Sequence, residues 1–95
     1  MRKIEEIRHD IDEVDQELVK LFERRFHLVE EVIAYKMEQQ LPIYDAQREL
    51  EILKKNLNRL NDTKLSSYFE AWYQKMLEIS KQYQEERKQE LCSKK

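Results

Sequence analysis

Glycine is absent from the 95-residue chain, and proline occurs once, at Pro42. That excludes glycine-rich phosphate loops and dinucleotide-binding turns, along with most of the turns that close β-hairpins. The composition predicts an all-α fold. Cysteine also occurs once, at Cys92, so no internal disulfide can form, and the opening MRKIEE lacks the apolar run of a secretory signal. Both features point to a reducing cytoplasm. No apolar stretch approaches the roughly 20 residues needed to span a bilayer, so a soluble protein with no membrane partner is expected. Neither sign of charge dominates: 18 Lys and Arg face 20 Asp and Glu, for a net charge of -2. A nonspecific nucleic-acid binder shows a basic excess, and this chain does not. His9, His27 and Cys92 make no metal-ligand spacing, and no Ser/His/Asp or Cys/His nucleophilic set is visible. The length fits a single domain over residues 1–95, without repeats or a linker.

What the chain does contain is helical periodicity. At heptad spacing, Ile4, Ile11, Leu18, Arg25 and Val32 form one class, and Ile7, Val14, Leu21, Leu28 and Tyr35 another. Alternating steps of three and four over more than four heptads predict one amphipathic helix across residues 4–38. Lys3, Asp10, Glu17, Arg24 and Glu31, all charged, mark the face toward water. Such a helix is about 50 Å long, whereas a compact chain of this size has a radius of gyration of about 12 Å. The rest of the chain can cover only part of the stripe, and a second copy laid alongside is the simplest cover.

Arg25 interrupts that stripe where the repeat calls for Leu or Ile. A buried guanidinium needs an anion beside it. It can snorkel, pair with an internal carboxylate, or wait for an anionic ligand, and its neighbour Arg24, on the charged face, serves as the comparison. Arg8 and Lys36 sit on the stripe margin, where each taken singly reads as a solvated side chain. Along one helix Arg8 lies about 25 Å from Arg25 and about 42 Å from Lys36. Only an antiparallel partner helix could bring an Arg8 to a small ligand held by Arg25 and Lys36.

Pro42 ends the first helix, and Asp45 stands where an N-cap belongs. Leu50, Leu53, Leu57 and Leu60 give the spacing of a second helix over residues 46–59. A third is expected over about 64–90, with Leu65, Phe69, Trp72, Met76, Ile79 and Tyr83 facing inward and a polar tail from Gln82 that frays. Ser80 and Gln84, four apart, stack one above the other; they read either as ordinary polar residues at a stripe edge or as a pair aimed at one ligand.

IRHDIDEVDQELVKLFERR, then AYK, then LPIYDAQRE, then a late helix carrying Ser80 and Gln84, resembles the AroQ-class chorismate mutases. The ordered set Arg8, Arg25, Lys36, Asp45, Arg48 and Glu49 is the most specific part of the likeness. The resemblance implies three helices per chain in an intertwined all-helical homodimer. It implies a Claisen rearrangement of chorismate to prephenate, in phenylalanine and tyrosine biosynthesis, without metal or cofactor. Carried onto this sequence, Arg25 and Arg8 from the partner chain would hold the substrate carboxylates, with Arg48 supporting that side. Lys36 and Gln84 would donate to the ether oxygen, Glu49 and the Asp45 backbone would take the ring hydroxyl, and Ser80 would touch a carboxylate. Some relatives carry Glu in place of Gln84, which confines their activity to acid. At this length no fused dehydratase, dehydrogenase or synthase domain is expected. Two other readings keep the helices and change the function: an isochorismate pyruvate lyase on the same fold, and a non-catalytic helical dimerisation module.

Overall fold

The computed structural model describes residues 1–93 and is built from three helices, α1 (Ile4–Glu38), α2 (Ala46–Arg59) and α3 (Ser66–Ser93), with a 3-10 turn at Thr63–Leu65 leading into the last. The described residues contain no strand. α3 lies between the other two and packs against both.

The end of α1 is set by backbone bonds. Leu41 N donates to Lys36 O at 2.8 Å and Gln40 N to Met37 O at 3.3 Å, the paired bonds of a Schellman motif. That motif wants a left-handed residue just past the cap; with no glycine available, Gln40 takes it, at φ 56°. Ile43 folds back from this turn and is buried. Asp45 caps α2 as expected, its carboxylate accepting from Arg48 N at 3.1 Å.

The core between α2 and α3 is formed by Leu53, Tyr73 and Leu77, with Ile52, Leu57, Phe69 and Met76 around it. Tyr73 stacks on Phe69 at 5.5 Å, and its hydroxyl accepts from Asn56 Nδ2 at 3.0 Å, which lets a polar ring sit in an apolar layer.

Both apolar faces differ from the sequence reading. On α1 the buried residues are Val29 and Ile33, not the heptad stripe, which lies open at Ile4, Ile11, Leu18, Leu21, Leu28 and Val32. On α3 the buried residues are Tyr73, Leu77 and Ser80; of the residues expected inward, Phe69 and Met76 pack against that core, while Trp72 is 56% exposed and Ile79, and Leu65 in the preceding 3-10 turn, are nearly as open. Each helix carries two apolar strips about a quarter-turn apart, and the chain's own packing consumes only one of them. The expected fraying from Gln82 is also corrected: α3 continues to Ser93 because Arg87 and Tyr83 reach Glu30 on α1. The polar tail's last two positions, 94 and 95, lie outside the described residues.

No helix among the described residues is long and apolar enough to cross a membrane.

Candidate active site

Where the C-terminal half of α1, the start of α2 and the middle of α3 converge, they line a half-open cavity of about 290 Å³. α1 contributes Arg25 and Lys36 to its wall, α2 and its cap contribute Asp45, Arg48 and Glu49, and α3 contributes Ser80 and Gln84. Seven of the eight residues singled out in the sequence thus share one cavity. Arg8 does not; it is exposed on the free N-terminal half of α1. The distance argument anticipated this, since one helix cannot fold back on itself.

Each wall has a local reason for its geometry. Arg25 is half-buried while Arg24 beside it is exposed, because the helical step of about 100° turns one guanidinium toward the cavity and the other away. Arg25 also lines a second, apolar groove between α1 and α3, formed with Leu18, Leu21, Phe22, Trp72 and Ile79. It therefore stands at the junction of a polar cavity and an uncovered apolar surface. Lys36 is tied down at both ends: its carbonyl accepts from Leu41 N, and its ammonium donates to Ile43 O at 2.7 Å. The Schellman turn thus holds the ammonium at the cavity wall. Glu49 is half-buried, and Asp45 and Arg48 are exposed at the rim.

On α3, Ser80 is only 4% exposed. Gln84 Nε2 donates to Ser80 Oγ at 3.1 Å, while Gln84 Oε1 is buried and finds no partner. An orphaned acceptor of this kind costs about 1–3 kcal/mol. A half-turn of the amide would let Ser80 Oγ–H donate to Oε1 and would put Nε2, with both N–H groups, in the buried unpartnered position, where an acceptor on a ligand in the cavity that Gln84 lines could satisfy them.

The titratable groups that depart from ordinary behaviour lie next to the cavity, not in it. Glu30, on α1 between Arg25 and Lys36, accepts from the Tyr83 hydroxyl and from Arg87 Nε at 3.2 Å. The Tyr83 hydrogen bond, helped by Arg87, holds the Glu30 carboxyl below its usual range although burial opposes this. The same bond, with burial, pushes the Tyr83 hydroxyl up. Arg87 is pushed up by its bonds to Glu90 and Glu30. Sequence reasoning missed this cluster, because partners 53 and 57 positions apart leave no periodic trace. It also missed Lys81, which lines the same cavity beside Ser80.

Residues 7–85 match the family model described as chorismate mutase type II. The chain belongs to the chorismate mutase type II family. The matched span runs from just before Arg8 to just past Gln84 and so takes in every residue placed around the cavity. Two curated relatives illustrate the likeness. The T-protein of Haemophilus influenzae is 39% identical over 54 residues, covering 57% of this chain and 14% of that protein. The bifunctional chorismate mutase/prephenate dehydratase of Aquifex aeolicus is 38% identical over 61 residues, covering 64% of this chain and 17% of that protein. The chain thus spans less than a fifth of the length of these relatives. No solved structure gives a significant match.

Proposed function

We propose that this chain is a chorismate mutase that rearranges chorismate to prephenate, serves phenylalanine and tyrosine biosynthesis in the cytoplasm, and works as a homodimer whose two sites each draw on both chains. The observation that carries the reading is the convergence of Arg25, Lys36, Arg48, Ser80 and Gln84 on one cavity in a member of this family. A sigmatropic rearrangement requires no nucleophile, metal or cofactor. The protein has to hold the substrate folded, with its two reacting ends together, and to stabilise the charge that builds on the breaking ether bond.

The residues suit those tasks. Arginine pairs with carboxylates through a planar two-pronged fork, so Arg25, with Arg48 in support, is assigned to the carboxylates. Lysine is a compact charge that serves a single oxygen, and Lys36 is assigned to the ether oxygen. The Gln84 amide, with the ether oxygen as acceptor for an N–H group at its unpartnered position, becomes the second donor there. Glu49 and the Asp45 backbone take the ring hydroxyl, and Ser80 adds a carboxylate contact.

The dimer has its own support. The chain exposes 8159 Å², against about 5,900 Å² for a compact monomer of 11.8 kDa, an excess of about 2,200 Å². That is the scale of an obligate helical interface. The groove beside Arg25 is where a partner's α1 would lie, and an antiparallel partner carries its Arg8 toward the cavity that Arg25 shares.

Incubation with chorismate and, separately, isochorismate tests the reaction. Prephenate as the sole product from chorismate is expected. Pyruvate released from isochorismate would instead support the lyase, and turnover of neither would leave a dimerisation module.

A further inference from the structure

Of the cavity's three walls, two carry their own cations: Arg25 and Lys36 on α1, Arg48 on α2. The α3 wall presents the neutral pair Ser80 and Gln84, and its only charged group is Lys81. Lys81 is half-buried, and it lines both this cavity and the adjoining cleft between α2 and α3. Its ammonium makes no ion pair among the described residues. It rests over the Tyr44 ring, 4.3 Å from the centroid, on the loop that joins α1 to α2. An ammonium held at a cavity edge by a ring face, with no carboxylate paired to it, is free to change partners.

We propose that Lys81 is a substrate-binding residue: when a dicarboxylate enters, its ammonium leaves the Tyr44 ring and pairs with the carboxylate that lies against Ser80. The inference rests on the chorismate reading of the cavity and adds to it the cation of the third wall. A ring quadrupole attracts an ammonium weakly at a half-exposed site, whereas a carboxylate in a partly desolvated cavity forms a charge-assisted hydrogen bond with it. The exchange is downhill once a dianion is present, and the flexible four-carbon stem allows it without movement of α3. A serine hydroxyl alone is a neutral donor to an anion; the neighbouring ammonium supplies the charge.

The contact is made equally to the bound substrate and to the rearranging one, because the carboxylates do not take part in bond breaking. It therefore acts on KM rather than kcat. Steady-state kinetics on chorismate should show Lys81→Gln and Lys81→Met raising KM about tenfold with kcat within about twofold of wild type, the loss of one charge-assisted contact. Lys81→Arg should restore KM, and Lys55→Gln, on the exposed face of α2, should leave it unchanged. Tyr44→Leu should leave KM unchanged or lower it, because the ring competes with the substrate for the ammonium. A KM in Lys81→Gln and Lys81→Met equal to that of Lys55→Gln overturns the proposal, as does a fall in kcat at constant KM. A KM rise in Tyr44→Leu as large as that of Lys81→Gln overturns the change of partner. If the wild-type protein leaves chorismate unchanged, the catalytic reading fails by itself, and Lys81 is then judged by calorimetric affinity for chorismate. Equal affinity of wild type and Lys81→Gln, including no binding by either, overturns the proposal there.

Discussion

Lys36 is immobilised before any ligand arrives, its ammonium fixed on the Ile43 carbonyl and its own carbonyl engaged by Leu41 N. For the proposed rearrangement this matters more than raw charge, because a donor already in place needs no reorganisation as the ether bond breaks. Removing one such donor costs about 2.7 to 4 kcal/mol of barrier, or about 100 to 1,000-fold in rate. Lys36→Ala should lose kcat on that scale while Arg24→Ala, exposed beside Arg25, keeps near-normal activity; equal kcat values for the two would remove Lys36 from the reaction. Gln84 makes a second case at this scale. An amide donates at any pH, so wild-type activity should hold from pH 5 to 7.5. In Gln84→Glu the new side chain donates only when protonated, and kcat should fall about tenfold for each pH unit above its pKa. A flat pH–rate profile in that variant would show that position 84 gives no proton to the ether oxygen.

At the scale of the helices, the Glu30, Tyr83 and Arg87 cluster fastens the last turns of α3 to α1 between Arg25 and Lys36. Glu30 titrates lower in the folded chain than its ordinary value of 4.5, so its contribution to stability is complete above that value and disappears as pH falls through the lowered folded value. Glu30→Gln should therefore melt a few degrees below wild type at neutral pH, and the gap should close in strong acid. A gap that stayed constant into acid would mean the carboxylate charge is not what holds the helices. This cluster also shows where reading the sequence stopped. The bounds of α1 and α2 were legible because one proline and an Asp cap punctuate a periodic chain. The buried strip of α3 was not, since Trp72 and Ile79 fit helical spacing as well as Tyr73 and Leu77 do. Periodicity identifies apolar faces without saying which chain covers them. Within the site, Arg25 was legible as a cation on an apolar stripe, and Lys36, Arg48 and Glu49 through the family likeness. Lys81 was not, because nothing in its spacing separates it from the exposed lysines around it.

As a whole molecule, the chain measures 60 by 27 by 15 Å with a radius of gyration of 17.1 Å, against about 12 Å for a compact chain of its length. An elongated chain with Leu18, Leu21, Trp72 and Ile79 open has completed neither its core nor, in the proposed dimer, its site. The two deficits have one remedy, and a mixing experiment separates it from coincidence. Take Arg8→Ala and Arg25→Ala, each inactive as a pure dimer because both of its sites lack one arginine. Unfold them together in equal amounts and refold. If each site uses Arg8 of one chain and Arg25 of the other, a mixed dimer holds one site missing both arginines and one site that is intact. Random pairing makes about half the dimers mixed, so about a quarter of wild-type activity should return. If both arginines of a site came from the same chain, each site in the mixture would still lack one, and the refolded mixture would be no more active than the separate variants.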